Sequence, residues 1–362
     1  MWRVIGHNRI LALLDRSIRE HSTAHAYLLV GPPHIGKTTL ALDLAQALNC
    51  NDADPPCGQC RSCRRIIEDK HADVVMLTLD PRVQINIDDT GELRQKAKIS
   101  TGSVKQLQHL ANLTPYEGKY KVFIIENAEY MSPEASNRTL KILEEPPPNV
   151  VWLLLSTRET KLLPTVASRC QRLELKPLPQ EQMQAILTDS YSVGADEAAL
   201  LARLSGGCPG WALSAVADDG LLRQRRQIID RLRSLLIADL GERFDYAREL
   251  ATQFTQDRRA VSETITLWLR WWRDLMLIRG GWTEAIVNVD CQAELEEQAQ
   301  SLSLSTIKDF ITSLRQTEEF ISKNVNPRLA FESLMLGLPK IEVNLSSSHG
   351  TRPAQQRRRS SG

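Results

Sequence analysis

The stretch Tyr27 to Thr39, YLLVGPPHIGKTT, constrains this chain more than any other. An apolar run breaks into a Gly-Pro loop and then passes into the helical pattern of Leu40 to Leu48. Gly31 and Gly36 bracket four residues just ahead of Lys37 and Thr38. That spacing lets backbone N–H groups wrap a β/γ-phosphate, while the lysine ammonium neutralises it and the Thr38 hydroxyl reaches Mg²⁺, with Thr39 following in the first helical turn. The helix start adds its dipole and its unpaired N–H groups to the same anion site. A strand before the loop and a helix after it separate this pattern from an incidental Gly-rich turn.

At 362 residues the chain exceeds one ordinary core, so about two or three domains are expected. The net charge of +1 gives no global attraction to nucleic acid or membrane, and any DNA contact must be a local patch. The longest uninterrupted apolar run, Val150 to Leu155, is too short to span a bilayer, and Met1 to His7 lacks the apolar core of a signal peptide. A cytoplasmic protein with no membrane partner is expected. Of seven cysteines, four crowd between Cys50 and Cys63, which fits a reducing compartment and a metal site better than a disulfide framework.

Cys50, Cys57, Cys60 and Cys63 can converge on one tetrahedral Zn²⁺, because the two-residue gaps make turns whose sulfurs point the same way; the other reading is unrelated buried or redox thiols. Four thiolates leave no open coordination position, so the metal is expected to be structural. Arg61, Arg64, Arg65 and Lys70 around it read as a solvated face rather than a DNA site.

Apolar runs mark strands at Ala26–Val30, 73–79, 121–125, 150–155 and 172–175, with helical periods over 3–20, 40–48, 104–113 and 133–145 and a short helical segment at 163–170. This alternation predicts a parallel αβα sandwich over residues 1 to about 178. Residues 80–102 are polar and mixed, a surface insertion or hairpin with no chemical reading. The third strand ends in Glu126-Asn127-Ala128-Glu129, where a P-loop ATPase carries an acidic pair. Glu126 can take the metal role; Asn127, a neutral amide, cannot act as a base; Glu129 reads as a surface residue of the following turn. Thr157, at the tip of the fourth strand, is expected beside the γ-phosphate, because ligands bind at the carboxyl ends of such strands.

From Pro179 strands vanish and helices dominate, with a break at Gly206 to Gly210 and a plausible linker at Asp218-Asp219-Gly220. Trp268, Trp271 and Trp272 at helical spacing read as core or subunit interface rather than a nucleic-acid stacking stripe. The tail from Ser346 to Gly362, rich in Ser, Gln and Arg, is expected to be disordered.

With these residues assembled, the chain resembles the bacterial DNA polymerase III clamp-loader subunits, AAA+ proteins, over nearly its whole length. Five signatures occur in order: Gly31 to Thr39, the four-cysteine module, Asn137 to Pro147 (NRTLKILEEPP), Leu163 to Cys170 ending in Ser-Arg-Cys, and Asn326 to Leu338 (NPRLAFESLMLGL). The resemblance implies a P-loop AAA+ domain with a zinc module over residues 1–178, a helical lid over 179–218, a helical collar for oligomerisation over 219–340 and a tail over 341–362. It implies a hetero-oligomeric ring with tau/gamma and delta subunits, which uses ATP to open the sliding clamp and place it on primer-template DNA. Arg169 would then be an arginine finger acting in trans on a neighbour's γ-phosphate, a role its fixed, always-charged fork suits. The segment Val4 to His7 resembles an adenine-side contact. Asn127 stands where the motor subunit has its catalytic Glu, and Gly210 where its lid has an Arg. Both departures resemble the delta-prime class, which completes the ring, donates a finger and binds ATP or ADP with weak or no hydrolysis. The alternative is an ATP-hydrolysing motor of the tau/gamma type.

Overall fold

The computed structural model describes residues 1–78, 110–131, 133–322 and 325–341. The expectations placed on 80–102, on the start of a helix at 104 and on the tail from 346 lie outside the described residues. The chain divides into two compact units. The first comprises Met1–Arg225, Thr252–Glu263 and Val287–Asp290; the second comprises Arg226–Ala251, Thr264–Ile286 and the described residues from Cys291 onward.

The first unit is built on five parallel strands, β1 (Ala26–Val30), β2 (Val74–Thr78), β3 (Lys121–Glu126), β4 (Val150–Ser156) and β5 (Gln171–Glu174), in the order β2-β3-β4-β1-β5. The central strands read as unbroken apolar runs because helices cover both faces. Tyr27 and Leu29 of β1 pack with Leu14 of helix α1 (Asn8–Arg19) and with Leu40, Leu44 and Leu48 of helix α2 (Lys37–Asn49). Leu28 and Val30 pack on the other face with Ile142 and Leu143 of the helix Pro133–Glu144 and with Val166. Phe123 stacks on Trp152 across β3 and β4, ring centroids 4.4 Å apart. The parallel αβα sandwich expected from the sequence is therefore the observed one.

β3 and β4 each run one residue further than expected, to Glu126 and Ser156, and β5 and β2 start elsewhere. β5 runs from Gln171 to Glu174, a residue early, because Tyr27 to Val30 pair with Gln171 to Glu174; the Leu175 amide still donates to Val30 O at 2.8 Å. Asp73 is not part of β2. Its buried carboxylate instead accepts the amides of Tyr116, Glu117 and Gly118, each at 2.8 Å, with the Lys121 ammonium at 3.5 Å.

The helices Gln180–Tyr191, Ala195–Leu204 and Pro209–Ala217 close around Met183, Leu187, Leu201 and Ala212. In the second unit Trp268, Trp271 and Trp272 are buried, Trp272 lies 4.5 Å from Phe310 between ring centroids, and Trp271 Nε1 donates to Gln298 Oε1 at 3.0 Å. This aromatic stripe is core, and its one observed polar contact is internal. Arg243, buried, donates to the carbonyl oxygens of Leu235, Leu236, Leu338 and Pro339, tying the end of the last described helix, Pro327–Gly337, back to the start of the unit. Among the described residues no helix is long and apolar enough to cross a membrane.

Candidate functional site

The strand order places β1 between β4 and β5, so the chain leaves β1 for the far edge of the sheet and later crosses back over it. Such a reversal opens a crevice at the carboxyl ends of the strands. The loop from Gly31 to Gly36 fills that position. Its first amide, Gly31 N–H, donates to Ser156 O at 3.2 Å, which sets Thr157 directly beside the loop. Gly36 ends the loop with φ +104°, a left-handed conformation that side chains resist, and a Cβ there would lie 3.1 Å from Val4 Cγ2.

Lys37 Nζ donates to Gly31 O at 2.7 Å and to Pro32 O at 2.9 Å, folded over its own loop. Burial pulls its pKa down to about 8 against the opposing fields of Glu129, Cys208 and Glu126, in that order. Thr38 Oγ1 donates to Glu126 Oε1 at 2.5 Å, so the hydroxyl and the carboxylate expected on Mg²⁺ already face each other. Thr39 continues the first turn of α2. The donor set is one a hard, oxygen-preferring cation accepts.

Glu129 is not the surface residue expected. Asn127 takes a left-handed turn at φ +53°, and the short 3₁₀ helix Ala128–Tyr130 swings Glu129 back toward β4. Its Oε1 accepts the Thr157 amide at 3.1 Å and the Thr157 hydroxyl at 2.8 Å, while Oε2 is buried without a hydrogen-bond donor among the described residues. An acid three residues after Glu126 was the only linear signal.

Two further features were invisible in the sequence. Asp43 of α2, fully buried, accepts the amides of Arg3 and Val4 at 2.6 and 3.0 Å and pairs with the Arg3 guanidinium at 2.7 Å, pinning the N-terminal segment against the loop. His7, further along that segment, has its pKa lowered by burial, partly offset by its hydrogen bond to the Ile35 backbone. The Gly210 amide donates to His34 O at 2.8 Å, and a Cβ on Gly210 would stand 2.8 Å from that oxygen.

The opposite end of α2 carries the cysteines. Cys50 caps the helix, Cys60 opens helix α3 (Arg61–Ile67) and Cys63 lies within it. The four sulfurs lie within 4.8 Å of one another, with Cys50 to Cys60 at 4.0 Å and Cys57 to Cys63 at 3.9 Å. Tetrahedral Zn–S bonds near 2.3 Å put sulfurs about 3.8 Å apart, so this set fits zinc with little adjustment. Amides of Asp52, Cys60 and Cys63 point at the sulfurs of Cys50, Cys57 and Cys60, as thiolates require. Burial pushes the Cys60 thiol up, but the Cys63 and Asn51 amides and the neighbouring thiols outweigh it and bring the pKa down to about 6. Lys119 Nζ donates to Cys50 O and the Tyr120 amide to Asn49 Oδ1, fastening the module to the start of β3.

Arg169 stands apart from the phosphate loop in its contacts. Its guanidinium pairs with Glu144 Oε1 at 2.6 Å and donates to Thr165 O at 2.9 Å, partly exposed beside the end of the helix Pro133–Glu144.

Residues 6–179 match the family model "DNA polymerase III, delta subunit", and residues 220–340 match "DNA polymerase III, delta subunit, C terminal". The DNA polymerase III subunit delta-prime of Bacillus subtilis is 26% identical over 331 residues, 91% of this chain and 95% of that protein. The gamma/tau subunit of Mycobacterium bovis is 32% identical over 220 residues, 59% of this chain, which thus spans only 36% of that longer protein. A crystal structure of a gamma-subunit-related protein from Thermotoga maritima overlaps 90% of this chain and 97% of that one at 18% identity, with a TM-score of 0.43.

Proposed function

We propose a function that starts from kinship: the chain belongs to the delta-subunit family of DNA polymerase III, among the clamp-loader proteins, and acts as a delta-prime-like subunit of the clamp loader. In the cytoplasm it joins tau/gamma and delta subunits in a hetero-oligomeric ring that loads the sliding clamp onto primed DNA. It binds ATP or ADP with Mg²⁺ through Gly31, Gly36, Lys37, Thr38, Thr39, Glu126 and Thr157, turns nucleotide over slowly at most, and presents Arg169 to a neighbour's ATP. Residues 1–178 form its AAA+ domain, 179–218 its lid and 219–340 its collar, with a structural Zn²⁺ on Cys50, Cys57, Cys60 and Cys63.

The observation that carries this reading over the tau/gamma motor is the seat of Gly210. Its amide lies on His34 O and a Cβ there would stand 2.8 Å from that oxygen, so a lid arginine at this position would have to displace the loop before it could read a γ-phosphate. Asn127 adds to it, because a neutral amide next to Glu126 cannot take a proton. Arg169 suits the role of donor. Its pair with Glu144 is partly exposed, and such pairs contribute about 0–1 kcal/mol, so the guanidinium is released to a neighbour at small cost. A finger supplied in trans is worth about 10³–10⁵ in rate.

The test is ATP turnover by the ring reconstituted with its partners. Arg169→Ala is expected to remove most of the ring's ATPase without loss of assembly on a sizing column, and Lys37→Ala to leave most of it. If the isolated chain instead turns ATP over as fast as the ring, and Lys37→Ala abolishes that turnover, the motor reading replaces this one.

A further inference from the structure

The phosphate site contains one acidic group that the proposed function leaves unused. Glu129 sits in the crevice with Lys37 and Thr157. Its Oε1 is fixed by two donors of Thr157, the residue just past the tip of β4 and next to Gly31. Its Oε2 is buried and has no hydrogen-bond donor among the described residues. Of the groups whose charge acts on the Lys37 ammonium, Glu129 acts most strongly, ahead of Glu126. Glu126 is meanwhile engaged by Thr38. A merely structural carboxylate, one that only capped the Thr157 amide, would gain nothing from burying a second oxygen unpaired, since that costs about 1–3 kcal/mol or more for a charged group. An anchored carboxylate with its second oxygen left unpaired near Lys37 of the phosphate loop has the spare acceptor that a water-positioning base requires.

We propose that Glu129 replaces the acid missing at Asn127, orienting and deprotonating the water that attacks the γ-phosphate, and so gives this subunit a slow ATPase of its own. The inference rests on ATP binding in the phosphate loop, as proposed above. In the step, the water oxygen bonds to the γ-phosphorus and the bond from that phosphorus to the β-γ bridging oxygen breaks. The water proton passes to Glu129 Oε2 and from there to the departing phosphate, leaving ADP and inorganic phosphate. The anchor explains the slowness. Oε1 is committed to Thr157, so only Oε2 is available, and it reaches the site from a turn rather than from the end of the strand.

Glu129→Gln decides the matter, because the amide oxygen still accepts both Thr157 donors while the second atom becomes an NH₂ that cannot take a proton. The full chain would be studied with Mg-ATP by single-turnover conversion to ADP, alongside equilibrium binding of a fluorescent ATP analogue. The expected result is measurable conversion by the wild type, a loss of about 10²–10⁴-fold in Glu129→Gln, and analogue affinity within about twofold of wild type. Glu129→Asp, which keeps the charge but retracts it by a methylene, is expected to fall between the two and guards against a folding defect in the amide variant. Wild-type rates in Glu129→Gln, or no conversion by a wild type that binds the analogue, overturn the proposal. A wild type that binds no analogue overturns the nucleotide site itself, and the proposal with it.

Discussion

Helix α2 carries a different kind of site at each end. Its N-terminus meets a loop of backbone N–H groups and a lysine, a setting for an anion; its C-terminus runs into Cys50 and three more thiols, a setting for a cation. The first follows from the helix dipole, positive at the first turn, whereas the second follows from the spacing of the thiols. The difference lies in what the groups of each end contact within the chain. At the N-terminal end the groups satisfy one another: Lys37 bonds Gly31 O and Pro32 O, and Thr38 bonds Glu126. At the C-terminal end the sulfurs have chiefly one another and a few amides, which leaves like-charged thiolates facing each other once they ionise. On the function proposed above, the first end suits a ligand that comes and goes and the second one that stays.

That contrast is broken most forcefully at the sulfurs. Replacing Cys63 with Ser, or stripping metal with a strong chelator, is expected to lower the melting temperature sharply and to remove a stoichiometric zinc from elemental analysis. The loss is bounded above by about 10–16 kcal/mol, the apparent worth of structural zinc in small domains. A metal-free chain that melts with the native one would make the two ends alike. At the other end, Lys37→Ala is expected to weaken ATP about 10–10²-fold in a binding titration, the value of a charged hydrogen bond, while the melting temperature stays level or rises as a buried ammonium is removed. Gly210→Ala comes next. The new Cβ meets His34 O, so a loss of about 1–3 kcal/mol in a denaturant melt is expected, with the loop displaced.

The smallest effect is in pH. Lys37 falls from an ordinary value of 10.5 to about 8 on folding, so between those values the unfolded chain binds more protons. Stability of the nucleotide-free chain is therefore expected to rise with pH across that window. Affinity for nucleotide should fall across the same window, because the phosphates attract only the ammonium form. Parallel melts and titrations at pH 7.5 and 9.5, values chosen to straddle about 8, would show opposite slopes if Lys37 governs both.

The strands were legible because β1, β3 and β4 are unbroken apolar runs, and a helix-covered parallel sheet demands nothing subtler. The cysteines were legible from spacing alone, which the turns then realise. The position of Glu129 was not, because it depends on a left-handed turn at Asn127 that no neighbouring glycine announces. Asp43 was hidden in the same way. It lies inside a helix otherwise read from its leucines, and its partners are 39 and 40 residues away. Gly210 shows the opposite case, a residue noticed for the side chain it lacks, whose reason is a backbone contact with a loop far off in the chain.

The turn after residue 115 bears on how this molecule can be instrumented. Tyr116 is 86% exposed, yet its amide and the next two are all bound by buried Asp73. A reporter attached to that side chain would sit on an anchored backbone, with its own rotamers the chief freedom left to it. An insertion at the same place would unseat three amides at once, and so a position that looks open to a tag on exposure alone is a poor splice point and a good antenna.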